Sequence, residues 1–432
     1  MTETDTAPAR KRSPLGAFFW HLWFRWPLWQ RILLALLVGA AVGYAWGAEA
    51  ASIKWIGDLF VRMIRMLVIP LVFVTIASGV AALSHPGRLG SIGIKTLFLY
   101  VFTTAIAVVV GLTLGSYFEP GAGVTFAGVT PNPVAEAPNA GEQFMNIIPT
   151  NPVKALADGD LLAVIFFAIL LGAGILSAKE SGKPLANLLD SASEVMLQMV
   201  RFVMELAPFG VFALIAAVMG TSGPQAFQSV FTLAMCVLGG AAFQSLIVHG
   251  LVVRLLAWLP VIPFFRGIVD AVVVAFSTSS SSATLPVALR VAEKNLGIKP
   301  VVASTVLPIG TTVSMDGTAL YVALLSMFTA QAFGIELSMS QLVVIGLTTL
   351  LVAIGTAPVP SASLFMLAGV LTTFGVSPEQ TALIVGFILP FDRPLDMIRT
   401  VPNNTSDLAV ATVVARWENE IDVDVYKSKV DE

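Results

Sequence analysis

Long apolar runs alternate with short polar segments along this chain, and their lengths predict membrane-spanning helices. A helix needs roughly 20 mostly apolar residues to cross the hydrocarbon core of a bilayer. Eight segments meet that requirement and are predicted to be spans: residues 30–47, 60–84, 94–117, 160–178, 192–220, 227–258, 300–333 and 377–416. The pattern therefore predicts an all-α integral membrane protein, with the Pro-, Gly- and Asn-rich residues 118–160 as an extended outer loop.

Two further apolar segments are interrupted by small polar residues and do not fit a simple span. Residues 263–290 contain Ser277–Pro286 at their centre, and residues 337–374 contain Ile354–Ser363. Irregular backbone at membrane depth is tolerated only where it is buried in protein or lines a cavity, and paired interrupted segments are typical of transporter binding sites. We therefore predict two re-entrant helical hairpins, each followed by a span, as a repeated unit with inverted topology.

Composition supports a membrane location. Of the 432 residues, 56% are hydrophobic and 12% are charged, which is about half the charged share of an average soluble protein. The charges lie mostly at the ends and in loops, and no segment suggests nucleic-acid or cofactor binding. The one cysteine, Cys236, excludes an intrachain disulfide. Residues 1–27 lack a signal-peptide pattern and are basic at Arg10–Arg12, which predicts a cytoplasmic tail.

The last predicted span carries a polar stripe within an apolar context. Asp396, Arg399 with Thr400, Asn403 and Asp407 recur every three or four residues, so they share one helical face. Each charge at the bilayer centre costs roughly 2.5–3.5 kcal/mol on insertion scales. A set of ion pairs that holds the bundle together is one interpretation, and a binding site for a charged solute is the favoured one.

The serine run Ser279–Ser282 has three possible roles: a flexible linker, a nucleophile or a ligand-binding tip. A nucleophile needs a nearby base. The histidines His21, His85 and His249 are interpreted as interfacial or packing residues, so an enzyme is disfavoured. A tip whose hydroxyl and N–H groups face an anionic ligand fits better, because the N-terminus of a half-helix attracts negative charge.

The seventh predicted span contains a second unusual segment, Gly310–Thr318. Its glycines and hydroxyl residues predict an unwound stretch whose carbonyls face a cation, with Asp316 supplying the charge; hard cations such as Na⁺ prefer oxygen ligands. The alternative is a helix kink with Asp316 paired to a distant arginine. Tyr100, Thr103 and Thr104 share one face of the third span, which is weak evidence alone because threonine often bonds to its own helix.

These landmarks together resemble the dicarboxylate/amino acid:cation symporters, which include archaeal aspartate transporters and animal excitatory amino acid transporters. The resemblance covers residues 28 to 418, nearly the whole chain. Its landmarks are Ser279–Ser282, the motif Met315-Asp316-Gly317-Thr318, the second tip Gly355–Pro360, and the series Asp396, Arg399-Thr400, Asn403 and Asp407.

The resemblance implies a homotrimer with an elevator mechanism, in which a transport domain slides along a scaffold and the second hairpin is the extracellular gate. The implied division is residues 1–27 as a cytoplasmic tail and interfacial segment, 28–90 as scaffold spans 1 and 2, 91–117 as span 3 of the transport domain, 118–225 as the outer loop with scaffold spans 4 and 5, 226–418 as the remaining transport domain and 419–432 as a cytoplasmic C-terminal tail.

The resemblance also implies a substrate site, consisting of Ser280, Ser281, Thr318, Ala357, Val359, Asp396, Arg399, Thr400 and Asn403. Arg399, helped by Thr318, is expected to bind the side-chain carboxylate of the substrate. Asp396 is expected to hold its ammonium group, and Asn403 with the region of Ser281 its α-carboxylate.

Three cation sites are implied in the same way. The first is Asp407 with carbonyls of Gly310, Ser314 and Asn403. The second is Tyr100, Thr103, Thr104, Ser314 and Asp316. The third consists of carbonyls of Thr312, Ala353, Ile354 and Thr356. Ser314 stands where the family usually has Asn, which makes the cation stoichiometry or the affinity of that site a specific feature of this chain.

Two other departures lead to predictions. Many relatives have a substrate-neighbouring arginine at the positions of Ser279 or Met397, and Arg393, one turn before Met397, is predicted to replace it. Pro358 predicts a stiffer gate. Pro394 and Pro402 predict a locally broken final helix, because proline removes a backbone donor.

The favoured function is secondary active uptake of L-aspartate or L-glutamate coupled to Na⁺ influx. The planar fork of Arg399 suits a carboxylate, and Asp396 offers a partner for an ammonium group. The predicted site lacks a histidine relay, and Asp407 is a carboxylate rather than an amide. Both features favour Na⁺, although Asp316 and Asp407 could carry protons. The alternative is a proton-coupled C4-dicarboxylate or glutamate symporter; an anion channel and a structural or sensory protein are disfavoured. The expected location is the cell (inner) membrane, with both termini cytoplasmic.

Overall fold

The computed structural model describes residues 26–81, 88–124, 145, 148–223, 225–354, 356 and 362–428. These residues are almost wholly helical, and the one β-type pairing among them is an isolated bridge between Ile298 and Ile421. The first half of the chain contains α1 Leu28–Trp46, a 3₁₀ turn Gly47–Ile53, α2 Lys54–Ala81, α3 Arg88–Phe118, α4 Pro152–Asp158, α5 Leu161–Ser177, a 3₁₀ turn Lys179–Gly182, α6 Lys183–Met204 and α7 Ala207–Ser222.

The second half of the described chain begins with α8 Gln225–Ala242, which continues through a π-helical segment Phe243–Val248 into α9 His249–Leu256. It then contains α10 Val261–Thr278, α11 Ser281–Lys294, α12 Pro300–Val313, α13 Asp316–Ala332, α14 Met339–Ile354, α15 Ala362–Leu371, a 3₁₀ turn Thr372–Phe374, α16 Pro378–Trp417 and α17 Val423–Lys427.

Several of these helices are long and apolar enough to cross a membrane. Among the described residues there are five such runs, or six if one bent pair counts as a single span. The bent pair corrects the predicted fifth span at 192–220: α6 and α7 meet there at 51°. Pro208 lies in the first turn of α7, and Glu205 at the bend bonds to Arg31 of α1 at 2.8 Å, so the break is held by an ion pair.

The helices pack in two groups. In the first, α1 packs on α7, while α2 packs on α5, α6 and α7. Gly39 and Gly43 of α1 touch the backbone of α7 so closely that a Cβ at either would collide with it, as in small-residue contacts between membrane helices. In the second group, α13 packs on α3 and α16, and α16 also contacts α8, α10 and α12. Helix α13 is buried continuously from Asp316 to Ala330, which makes it the centre of this group.

The final helix contradicts the sequence-based prediction of a local break. Helix α16 is continuous over 40 residues, through both Pro394 and Pro402. Each proline removes only its own N–H from the ladder, and the neighbouring residues keep helical geometry because both sides of the helix are packed. The polar stripe therefore lies on one uninterrupted face, and this continuity keeps its residues in register.

The two predicted hairpins differ in how much of each the structure describes. In the first, α10 and α11 pack against each other and are joined at Ser279, whose φ is +53°, and Ser280. The Ser280 hydroxyl accepts a hydrogen bond from the N–H of Ala283 and caps α11. In the second, α14 and α15 also pack together, but the predicted gate residues 357–361, including Pro358, lie outside the described residues.

Candidate functional site

The predicted substrate residues meet around a buried arginine in the middle of α16. Arg399 is 2% exposed and donates from Nη1 to Oδ1 of Asp392 at 2.7 Å. Its Nη2 is 2.7 Å from Oδ1 of Asp396, and its guanidinium lies 4.3 Å from the ring centre of Tyr321 on α13. The Tyr321 hydroxyl also donates to Asp392, at 3.0 Å. Two carboxylates and an aromatic face thus fix the orientation of this guanidinium.

A second arginine lies beside the first. Arg393 is 7% exposed, and its Nη1 is 3.5 Å from Oδ2 of Asp396. Its Nη2 donates to the carbonyl of Thr278, at the end of α10 in the first hairpin, at 3.4 Å. Arg393 therefore lies near the predicted substrate residues, and its role toward a substrate stays a prediction. Arg393 connects α16 to the hairpin tip, and Asp396 lies between two guanidinium groups.

Amide side chains join the stripe to the break between α12 and α13. The break comprises Ser314 and Met315, so it lies within the predicted unwound stretch Gly310–Thr318 but is shorter than that stretch. Asn403 accepts the N–H of Gly317 at 2.8 Å through Oδ1, and its Nδ2 is 3.4 Å from the sulfur of Met315. Asn404 donates to the hydroxyl of Ser281 at 3.4 Å, which ties the stripe to the hairpin tip.

Two predicted substrate hydroxyls have local partners. The Thr400 hydroxyl donates to the carbonyl of Asp396 in its own helix at 2.7 Å. The Thr318 hydroxyl is 3.9 Å from the sulfur of Met315, which is a weak contact. Both side chains are buried beside the arginine cluster, and the weakly bonded Thr318 is the freer of the two to bind a ligand.

The first predicted cation site centres on Asp407, which is 2% exposed. Its Oδ1 has no hydrogen-bond donor among the described residues, and Ser314 lies beside the carboxylate. Gly310 faces it so closely that a Cβ there would overlap the carboxylate and come within 2.5 Å of the Tyr100 hydroxyl. A buried carboxylate oxygen without a donor, in a cradle that only glycine leaves open, fits a cation.

The second predicted cation site has a different chemistry. Asp316 is fully buried, and its Oδ1 accepts the hydroxyl of Thr104 at 2.7 Å and lies 3.3 Å from that of Thr103. Its Oδ2 accepts from Nε2 of Gln244 at 3.0 Å and from Nε2 of His249 at 2.9 Å. The carboxylate is therefore surrounded by protein hydrogen-bond donors.

The π-helical segment explains why Gln244 and His249 reach the same carboxylate. Residues five apart in an α-helix point about 140° away from each other. Within Phe243–Val248 the backbone bonds instead run from i+5 to i, and the N–H of His249 donates to the carbonyl of Gln244. Both side chains consequently project from one face of the helix toward Asp316.

The third predicted cation set is only partly assembled. Thr312, Ile354 and Thr356 line one cavity of about 40 Å³. The carbonyl of Ala353 instead accepts the N–H of Thr356 at 3.1 Å. The predicted substrate residues Ala357 and Val359 lie outside the described residues.

The interpretation of His249 as an interfacial or packing residue is wrong, because it is fully buried and bonded to Asp316. Asp316 is thus paired with a histidine, and not with the distant arginine of the alternative interpretation. His21 and His85 lie outside the described residues. Three further buried residues of this region were not predicted to have a role: Gln244, Tyr321 and Asp392. Gln244 and His249 could have been found as polar side chains in the middle of the apolar run Val230–Leu256.

A membrane-embedded cluster of arginines and carboxylates, next to a helix break and a hairpin tip, defines a carrier for a small anionic solute. Comparisons with known proteins identify the group of carriers. Residues 28–417 match the family model of the sodium:dicarboxylate symporter family. This chain therefore belongs to the sodium:dicarboxylate symporter family, which consists of secondary transporters and not of enzymes.

Three curated relatives illustrate the range of this family. The chain is 34% identical to the proton/sodium-glutamate symport protein of Bacillus subtilis (strain 168) over 400 residues, which cover 90% of this chain and 92% of the relative. It is 34% identical to the proton/glutamate-aspartate symporter of Escherichia coli (strain K12), over 91% and 93% of the two chains. The C4-dicarboxylate transport protein of Anaeromyxobacter sp. (strain K) is 33% identical, over 91% and 90%.

These findings confirm the resemblance inferred from the sequence motifs. They support symport of an acidic substrate by a multi-pass protein of the inner membrane. The relatives differ in substrate and in coupling ion, so those two properties have to be argued from the residues of this chain.

Proposed function

We propose that this protein is a symporter for an acidic amino acid, L-aspartate or L-glutamate. The observation that carries this proposal is the buried cluster of Arg399 with Asp392 and Asp396. Arg393 adds a second positive charge, so two arginines and two aspartates balance one another. An acidic amino acid has two carboxylates and one ammonium group. The arginines of this cluster can bind the carboxylates, and its aspartates can bind the ammonium group.

The roles within the cluster follow from its contacts. Asp392 is bonded by both Tyr321 and Arg399, so it serves to position the guanidinium. Asp396 forms its closest ion pair with Arg399 at 2.7 Å. When a substrate carboxylate binds Arg399, Asp396 becomes available to the substrate ammonium group. The exchange keeps every buried charge paired, which is the condition for low energy in this environment.

Transport of a C4-dicarboxylate is the second candidate, and the position of Arg393 favours it. Asp396 lies between Arg393 and Arg399, so its charge is compensated inside the protein without an ammonium group. The two guanidinium groups could then bind the two carboxylates of the substrate. The two candidates differ in whether Asp396 must remain charged.

Uptake into proteoliposomes tests the proposal. We expect uptake of radiolabelled L-aspartate or L-glutamate under an inward Na⁺ gradient, and loss of that uptake in Asp396→Asn, which removes the charge that binds ammonium. Succinate serves as the control substrate. Uptake of succinate alone, with the same rate in Asp396→Asn, would establish the second candidate and overturn the first.

We also propose that the coupling cation is Na⁺ and that it binds at Asp407, with Ser314 and the carbonyls of Gly310 and Asn403. The donor-free Asp407 Oδ1 and the open cradle at Gly310 support this assignment. A bound cation would supply the positive charge that this buried carboxylate lacks. Replacing Na⁺ by choline while imposing an inward proton gradient separates the two ions, because uptake under the proton gradient alone would assign the coupling to H⁺.

The elevator mechanism, the homotrimer and the cytoplasmic termini remain proposals from the family resemblance. The division of the helices into two packed groups supports a mobile transport domain beside a scaffold. On α6, Leu188, Val195 and Phe202 are exposed at seven-residue intervals, a spacing that supports packing against another helix. Cross-linking of the purified protein in lipid nanodiscs tests the trimer directly.

The arginine near the hairpin tip provides a more specific prediction. We expect Arg393→Ala to raise the KM for the acidic substrate about 5- to 30-fold, which corresponds to about 1–2 kcal/mol for loss of a partly buried charged contact. The effect is moderate because the contacts of Arg393 with the carbonyl of Thr278 and with Asp396 are long, at 3.4 and 3.5 Å. Uptake kinetics in proteoliposomes measure it.

A matched control exists in the first hairpin, whose tip Arg393 contacts. Arg290 is 61% exposed and pairs with the exposed Asp270 at 2.9 Å, so Arg290→Ala should leave the KM unchanged. Equal kinetics for Arg393→Ala and Arg290→Ala would remove Arg393 from the substrate site.

A further inference from the structure

The two buried carboxylates predicted to bind cations are in opposite situations. A carboxylate offers roughly four acceptor positions. At Asp316, donors from Thr104, Gln244 and His249 fill three of them, and the Thr103 hydroxyl, which also bonds the carbonyl of Tyr100 at 3.1 Å, lies at the fourth. At Asp407, Oδ1 has no hydrogen-bond partner among the described residues.

The donors at Asp316 are oriented by the carboxylate and cannot readily become ligands. Nε2 of Gln244 also donates to the carbonyl of Thr103 at 3.1 Å. In the orientation shown, Oε1 of Gln244 has no hydrogen-bond partner among the described residues, and it is the nitrogen that faces both Asp316 and Thr103. Facing an ionised Asp316, Nε2 of His249 must carry the hydrogen of the 2.9 Å contact, whether the imidazole is neutral or charged.

A Na⁺ ion at this position would therefore meet N–H groups where it requires oxygen atoms. The hydroxyls of Thr103 and Thr104 could supply oxygen, but the other side of the carboxylate is covered by Gln244 and His249. The nitrogen donors around Oδ2 of Asp316 do not fit the cation that the family resemblance implies at this site. The residues around Asp407 do.

We infer that in this chain Gln244 and His249, presented by the π-helical segment, take the place of one coupling cation at Asp316, so that Asp316 binds no Na⁺. His249 is a positioning residue that determines the cation stoichiometry of the carrier. The inference rests on the proposed function, because it assumes a symporter whose cation binds at Asp407. It departs from the sequence-based expectation of a cation site formed by Tyr100, Thr103, Thr104, Ser314 and Asp316.

Counting bound Na⁺ tests the inference without relying on transport activity. The purified full-length protein is equilibrated with ²²Na⁺ and with saturating L-aspartate or succinate, whichever the uptake assay identifies as substrate. We expect Asp316→Asn to bind as many Na⁺ ions per chain as the wild type, and Asp407→Asn to bind one fewer. Loss of one Na⁺ in a folded Asp316→Asn, shown by a single peak in size-exclusion chromatography, would overturn the inference.

A pair of substitutions at His249 provides the second readout. His249→Gln keeps a donor nitrogen at nearly the same distance from the backbone, so its Na⁺ count should equal that of the wild type. His249→Ala removes the donor and opens one side of Asp316, so it should gain one Na⁺ per chain. Equal counts in the Ala and Gln variants would contradict the inference, and this comparison decides the question if Asp316→Asn does not fold.

The same data separate failure of the inference from failure of the proposed function. A Na⁺ count that Asp407→Asn leaves unchanged, or a wild type that binds no Na⁺, overturns the proposed cation site at Asp407. The gain of one Na⁺ in His249→Ala, but not in His249→Gln, would support the inference about Asp316 in either case.

Discussion

We expect Arg399→Lys to weaken binding of the acidic substrate about 10- to 150-fold, and Arg399→Ala to weaken it about 30- to 5,000-fold. The first range corresponds to about 1.5–3 kcal/mol for loss of a hydrogen bond to a charged group. The second corresponds to about 2–5 kcal/mol for truncation of one partner of a buried charge pair. Substrate titration of the purified protein, followed by a shift in its thermal stability, measures both affinities.

The reason for the difference lies in the geometry of the guanidinium. Arg399 contacts Asp392 and Asp396 at 2.7 Å through separate nitrogen atoms and lies over the ring of Tyr321 at 4.3 Å. Lysine keeps the charge but provides neither the planar fork nor the stacking. Alanine additionally leaves Asp392 without its cation and Asp396 with the longer 3.5 Å contact to Arg393, so part of its effect will be lower stability.

Arg290→Lys is the matched control, because Arg290 is exposed and its partner Asp270 lies on the surface of the first hairpin. It should bind substrate as the wild type does. If Arg399→Lys also bound substrate with unchanged affinity, Arg399 would be a structural ion-pair residue, and the interpretation of the stripe as ion pairs that hold the bundle together would be correct.

Sequence patterns predicted the helical architecture because the signals are local. Apolar runs of sufficient length specify helices wherever water is absent, and this rule located both ends of α1 and α5 to within two residues, whereas α3 begins six residues before its predicted start. The break at Ser314 and Met315 was also predictable, since glycine and hydroxyl residues are poor helix formers inside an apolar span. Proline was a misleading signal: the dense packing around α16 keeps the helix continuous where local propensity predicts a break.

The polar stripe was visible in the sequence because its members lie on a single helix at regular spacing. The nitrogen donors at Asp316 were not predicted, because they come from a different helix and their common direction depends on a π-helical segment. In a regular α-helix, the side chains of Gln244 and His249 would point in different directions. A sequence read with α-helical spacing therefore predicts that the two residues have unrelated roles. The pairing is a property of the tertiary structure.

The cradle around Asp407 leads to the second large prediction. We expect Gly310→Ala to raise the KM for the coupling cation about 5- to 150-fold, which corresponds to the roughly 1–3 kcal/mol that overpacking costs in a close-packed interior. The added methyl group would overlap the Asp407 carboxylate and approach the Tyr100 hydroxyl to 2.5 Å, so the carboxylate must move out of the cradle. Initial uptake rates against Na⁺ concentration, or against pH if a proton gradient drives the wild type, measure the change.

Gly346→Ala is the matched control for this substitution. It adds the same methyl group within a membrane helix, but its nearest neighbours are Val108 and Leu112 at 3.6 and 3.7 Å, which are ordinary contacts. Its cation KM should therefore match that of the wild type. If Gly310→Ala behaved like Gly346→Ala, the coupling cation could not lie between Gly310 and Asp407. A cation bound there would lose affinity when the added methyl group displaced the Asp407 carboxylate. A selective rise in the cation KM, with an unchanged KM for the acidic substrate at saturating cation, would place the cation there and separate its site from the cluster around Arg399.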